Sequence, residues 1–473
     1  MTIAEKDLVL ASAASQLRLL RAGDVSAIEL TDAHIQQIER LNPTLNVFAD
    51  FDAERARKQA RRLDGMRKNR GALHGLPVTI KASIAVAGHR CEIGSLLHKG
   101  EVPREDAVAV ARLRAAGAVI LGTTNCPDLL MAYETDNDLY GQTRNPWDLE
   151  RTPGGSSGGE SAAIAAGLSA AGLGSDSGGS VRVPAHFTGI CSLKPTPGRV
   201  PGRGHLPPCV GPFSILGAIG PMARTIEDVS MLFRAMHGQD DCDPVGTPLA
   251  VRELTLEQLR THPIGFFEDD GITPVTKETR AAVQSAVKAL HEAGFRVEPF
   301  RPQSLEALRT LWWKFFVQCG AMFYEPAILG KRYQLSPIFV EFLSIAEASG
   351  KLTAAELLSA WAELDLVRSK MLEEMREFPV LLHPVAAVPA WRHGERAWAV
   401  DGKTVAYLDA VRYTQWFNTL GAPGAVVPVS ASPDGLPIGV QIGARPFEDE
   451  VALGIAAIVD KAFGYKAPPM ARG

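Results

Sequence analysis

The chain reads as an α/β protein, and three stretches carry that expectation. Residues 75–80 form a short apolar run ending on Lys81, and 118–121 form a second, Ala118-Val119-Ile120-Leu121. Between them, residues 105–116 place apolar side chains at helical spacing (Ala107, Val108, Val110, Ala111, Leu113), with Gly117 as a stop. Strand, helix, strand is the unit from which parallel strands covered by helices are built. Near the C-terminus, runs 425–430 and 436–443 flank Ser432-Pro433-Asp434-Gly435, the pattern of an antiparallel hairpin.

The remaining elements follow from local signals. Ser26 with Glu29 is a capping box opening a helix to about Leu41, and Asn42-Pro43 should end it. Asp52 caps a basic helix that stops near Gly65. The Ala-rich stretch 161–173 is expected to be helical. Helices are also expected over 225–237, 276–293, 353–376 and 448–463, and strands over 295–299 and 380–382. Residues 304–350 crowd Trp312, Trp313, Phe315, Phe316, Met322, Phe323 and Tyr324 together. They read as an insertion, about 304–350, in a single domain spanning 1–473.

Bulk properties bound the function. A chain of 473 residues with 46% hydrophobic side chains can bury a large core. A net charge of −4 argues against a nucleic-acid partner. No two of the six cysteines are spaced C-x-x-C, so neither a zinc ribbon nor a redox motif is suggested. The N-terminal run carries Glu5, Lys6 and Asp7, then Arg18 and Arg21, and resembles neither a secretion signal nor a membrane span. A cytoplasmic protein with free thiols is the expectation.

Two loops break the α/β rhythm. Thr152-Pro153-Gly154-Gly155-Ser156-Ser157-Gly158-Gly159-Glu160 and Gly174-Ser175-Asp176-Ser177-Gly178-Gly179-Ser180 are too rich in glycine for a strand or a helix interior. Glycine there lets backbone amides approach a neighbour closely. A flexible linker would share the composition, but the stretches between and after these loops look packed. A phosphate cradle fails on detail: Gly172-Leu173-Gly174 opens like G-x-G-x-x-G, but position 177 is serine and no Walker lysine follows.

These two loops, with Val181-Arg182, Pro184, Phe187, Gly189 and Lys194-Pro195-Thr196, resemble the amidase signature. Leu76 to Lys81, Gly122-Thr123-Thr124-Asn125, Asn145-Pro146-Trp147 and Gly435 to Gln441 extend the likeness over most of the chain, with a signature core at about 70–230. Departures are Thr123, Ser177 and Ser192, where the family often has Lys, Ile or Thr, and Gly. The resemblance implies a central mixed β-sheet covered by helices on both faces. It implies a Ser-cisSer-Lys triad of Ser180, Ser156 and Lys81, with a cis peptide bond leading into Ser156. It implies supporting roles for Ser157, Asp176 and Arg182, and no metal or organic cofactor.

The chemistry is consistent with that mapping. A serine hydroxyl attacks only when a base takes its proton. Lysine serves as base only when neutral, and burial lowers its ordinary pKa of about 10.4. Lys81 follows an apolar strand, so it should end inside the protein. The amides of Ser177, Gly178, Gly179 and Ser180 are suited to hold an oxyanion. Alone, Lys81 would read as a surface charge and the two serines as loop hydroxyls. His186, Cys126 and Cys191 read as structural.

Leu130, Met131 and Tyr133 match the stretch lining the substrate channel in fatty-acid-amide-like relatives. The aromatic cluster 312–324 could be an opposing apolar wall, core, or a homodimer contact, and the Gly/Pro-rich loop 201–213 is expected by the entrance. The leading expectation is a free-standing hydrolase of small amides, with carbamates and esters as related substrates and no membrane or nucleic-acid partner. The competing class is the glutaminase subunit of a tRNA-dependent amidotransferase, which shares the triad but needs a complex and a polar pocket. A non-catalytic binding module is the third, and the intact triad argues against it.

Overall fold

The computed structural model describes residues 5–66 and 71–472, so residues 1–4 of the N-terminal run lie outside the described residues. Thirteen strands are formed among them: β1 Phe48–Phe51, β2 Pro77–Lys81, β3 Val119–Thr124, β4 Ala171–Asp176, β5 Cys191–Lys194, β6 Ala218–Ala223, β7 Ile264–Phe266, β8 Val297–Pro299, β9 Val380–Pro384, β10 Ala397–Val400, β11 Lys403–Ala406, β12 Gly424–Ala431 and β13 Pro437–Ala444. Eleven join one sheet in the order β1-β3-β2-β4-β6-β5-β12-β13-β9-β7-β8, and β10 pairs with β11 apart from it. The pairs β2/β3, β2/β4, β7/β8 and β7/β9 are parallel. The hairpin β12/β13 is antiparallel, as the turn residues predict.

Both faces of the sheet are covered. Along β12, Ala425 and Val427 enter a core shared with helices Ile226–Met236, Lys277–Glu292 and Asp449–Phe463. The intervening Val426 enters a second core with Phe187 and Phe417. This alternation follows from the two-residue period of a strand. A third cluster joins Leu311, Trp312, Phe315, Phe339 and Phe342 of the aromatic-rich region to Leu129, Met131 and Phe213, so that region packs over segment 128–131 and the short helix Pro212–Leu216.

Two expectations change. The helix opened by the Ser26 box runs through Pro43 as Ala27–Leu45. Proline in the last turn costs one internal hydrogen bond, and the Asn42 carbonyl and side chain still accept from Asn46 and Val47. The Ala-rich stretch is helical only over Gly158–Ala165. Left-handed Gly167 (φ 75°) ends that turn, and residues 171–176 become the central strand β4. A side chain at Gly172 would meet the Thr79 carbonyl of β2 at 2.4 Å and the Glu160 carboxylate more closely still, so glycine here permits strand β4 to lie against the buried acid.

Candidate active site

Lys81 is the last residue of β2, and Ser175 and Asp176 end the adjacent parallel strand β4. The two serine-bearing loops therefore meet at the carboxyl ends of neighbouring strands. The peptide bond Gly155–Ser156 is cis. Added bulk at Gly155 would lie 2.5–2.6 Å from the carbonyls of Glu134 and Ala132, so the close neighbour that these glycines accommodate is the chain's own segment 132–134. Ser157 ties the loops together: its N–H donates to the Ser180 carbonyl (3.1 Å) and its Oγ to the Ser175 carbonyl (3.3 Å).

The Lys81 side chain is fully buried. Its Nζ lies 2.6 Å from Ser156 Oγ, 3.1 Å from Ser175 Oγ and 3.5 Å from the Ser175 carbonyl. Burial lowers its pKa to about 8, against the partly opposing fields of Cys126, Asp176 and Glu160. The nearby Glu160 is pushed up to about 8 by its own burial, and Thr79 and Thr124 donate to it. Ser156, Ser177 and Ser180 line one cavity with Leu130, Met131 and Phe316. Its volume is about 30 Å³, room for roughly one water.

The loop 176–180 is braced from behind. Arg182 donates to both Asp176 oxygens (3.0 and 2.9 Å), and both side chains are fully buried. Burial alone would raise the Asp176 pKa, but the Arg182 charge and the Arg182 and Asn418 hydrogen bonds hold it well below the usual carboxylate range. Asp176 in turn accepts from the N–H groups of Gly179 (2.7 Å) and Val181 (3.1 Å). The Gly179 amide, expected to face the oxyanion, is thus turned to Asp176. Trp312 Nε1 donates to the Ser177 carbonyl (2.9 Å), and the Tyr133 and Thr414 hydroxyls donate to that of Gly178 (2.8 and 2.7 Å).

Tyr133 braces the loop through its hydroxyl and, unlike Leu130 and Met131, is not among the residues lining the cavity. Of the aromatic cluster, Phe316 and Tyr324 reach the cavity wall, Trp312 braces the loop, and Phe315 packs on Trp361. Loop 201–213 supplies His205, Pro207, Cys209 and Phe213 to the wall. His186 is buried; it accepts from the Gly439 N–H at Nδ1 (2.9 Å) and donates from Nε2 to the Val388 carbonyl (3.3 Å). Among the described residues, no group of three or more His, Cys, Asp or Glu is arranged to hold a metal ion. None of their helices is long and apolar enough to cross a membrane.

Sequence reasoning passed over several supports. Ser175 lay within the glycine loop, and Gln441, which accepts from Arg182 (3.0 Å), lay in the C-terminal motif 435–441. Ser83, His205, Thr414 and Asn418 had no local pattern to mark them.

Residues 29–453 match the Amidase family model. The chain is 35% identical over 460 residues, 92% of each chain, to one component of the glutamyl-tRNA(Gln) amidotransferase of Roseiflexus castenholzii. It is 30% identical to the indoleacetamide hydrolase of Bradyrhizobium diazoefficiens, over 96% of this chain and 87% of that one. A solved bacterial aryl acylamidase of the amidase signature enzymes superposes with a TM-score of 0.85 at 25% identity, covering 96% of both chains. The chain belongs to the amidase signature family. It is an amidase, a hydrolase acting on the C–N bonds of amides.

Proposed function

We propose that the chain is a free-standing hydrolase of small, apolar carboxamides that works through an acyl-enzyme on Ser180. Carbamates and esters present a similar carbonyl and follow as secondary substrates. The observation that carries the reading is the 2.6 Å contact between the buried Lys81 amine and Ser156 Oγ, on a cavity that Ser180 also lines.

Ser180 Oγ bonds to the substrate carbonyl carbon while its proton passes to Ser156 and the Ser156 proton passes to neutral Lys81. The carbonyl oxygen becomes an oxyanion, held by the amides of Ser177, Gly178 and Ser180. The Lys81 proton then returns through Ser156 to the substrate nitrogen, the C–N bond breaks and the amine leaves. Water, deprotonated by the same route, releases the acid from Ser180.

The relationship to an amidotransferase component favours a second reading, glutamine as substrate within a complex. The cavity wall weighs against it. Leu130, Met131, Phe213, Phe316 and Tyr324 are apolar or aromatic, and among the described residues no Asp, Glu, Lys or Arg lines the cavity to pair with the charged α-groups of glutamine. The purified chain alone, offered anilides, long-chain amides, indoleacetamide, glutamine, carbamates and esters, should turn over aryl and apolar amides and leave glutamine intact. Glutamine hydrolysis in preference to these, or activity only after a partner is added, would replace this reading with the second.

A further inference from the structure

A second chain of hydrogen bonds leaves Lys81 on the side away from Ser156. Lys81 Nζ is 3.1 Å from Ser175 Oγ, which is 3.4 Å from Ser83 Oγ, which is 3.3 Å from His205 Nε2. His205 Nδ1 lies 2.8 Å from the Pro207 carbonyl. All four side chains are buried.

The far end fixes the direction of the whole chain. A carbonyl can only accept, so His205 Nδ1 carries the proton and Nε2 keeps a lone pair. Ser83 then donates to His205, Ser175 donates to Ser83, and Ser175 has only its oxygen left to accept from a Lys81 N–H. Neutral Lys81 has two N–H groups and one lone pair. The N–H groups meet Ser175 Oγ and the Ser175 carbonyl, which leaves the lone pair for Ser156. With the chain reversed, the Ser175 hydroxyl would occupy that lone pair in competition with Ser156.

We propose that His205 is a positioning residue that acts through Ser83 and Ser175 to aim the Lys81 lone pair at Ser156. This rests on the proposed role of Lys81 as base. His205 does not serve as the proton store itself. Burial lowers its pKa to about 4, below the value near 8 of Lys81, so a proton accepted from Ser156 stays on the amine. His205 also lines the cavity and, on its other side, a groove of about 800 Å³ between loops 201–210 and 242–245. A wall residue alone would affect substrate binding; an orienting residue affects the chemical step.

Steady-state kinetics of His205→Phe, Ser83→Ala, their double variant and His205→Gln separate these roles. Each single change should lower kcat by about tenfold with KM within about twofold, the scale of one net hydrogen bond. The double variant should be no slower than the slower single one, since both cut the same chain. His205→Gln, whose amide oxygen can accept from Ser83, should recover most of the rate. Wild-type kcat in Ser83→Ala, effects that multiply in the double variant, or a change confined to KM would overturn the proposal. Ser83→Ala removes one hydroxyl, so it supplies a folded test even if His205→Phe does not. An inert wild type, or a fully active Ser180→Ala, would instead remove the function proposed above.

Discussion

Lys81 loses its water shell at the end of β2, and its pKa falls from 10.5 to about 8. Between these values the unfolded chain holds more protons at this residue than the folded one, so its effect on stability improves as pH rises through that window. Below pH 8 the penalty is fully present and corresponds to about 3 kcal/mol. Lys81→Met removes it but strands the Ser156 and Ser175 hydroxyls, which offsets about 1 kcal/mol. The variant should therefore melt at a higher temperature than wild type at pH 7, lose that advantage by about pH 10.5, and have no turnover. Paired thermal melts at the two pH values check this. A variant less stable at pH 7 would mean that the amine is not held against its hydration. For the same reason, wild-type kcat/KM should climb with pH, pass half its plateau near 8 and level off above that where chemistry limits the rate. A flat profile between pH 6 and 9 would speak against a lysine base.

At the scale of elements, the loop 176–180 is held from outside by groups drawn from distant parts of the chain. Trp312 and Tyr133 press on Gly178 so closely that an added Cβ would meet the indole ring at 2.8 Å and the tyrosine oxygen at 2.9 Å. Both are anchored to the loop's own carbonyls, so the loop must give way. Gly178→Ala should lower kcat by about 100-fold or more, the effect of a displaced oxyanion donor, with the melting temperature changed by only a few degrees. Circular dichroism melts beside kcat measure both, and a near-normal kcat would deny this loop its role. The loop's glycines marked it in the sequence, and Asp176 and Arg182 were named there as supports, but its supports from distant parts of the chain were silent. Thr414 and Asn418 sit on a helix, Arg412–Leu420, that carries no catalytic pattern. The caps at Ser26 and Asp52 were legible because they are local, and the Thr353 box was passed over although it is local too. Strand β4 was misread because its Ala and Gly residues reflect burial on both sides of a sheet, which local propensity cannot see.

On the scale of the whole molecule, the sheet sets Lys81 and the glycine loops side by side at the ends of parallel strands, and the aromatic-rich helices close over them. A cavity of about 30 Å³ is smaller than an aryl amide, so turnover of the proposed substrates requires loop 201–213 or the Phe316 and Tyr324 wall to open. The long signature loops made the candidate site readable from sequence. The closure was not readable, because it depends on how 304–350 folds back over segment 128–131 and helix Pro212–Leu216. The acyl group carried by Ser180 between the two half-reactions is the most direct thing to look for. The purified chain, quenched in acid during turnover of a slowly deacylating aryl ester or carbamate, should show by peptide mass spectrometry one acyl group on Ser180, absent in Ser180→Ala. An acyl group on another residue, or turnover that persists in Ser180→Ala, would overturn the mechanism.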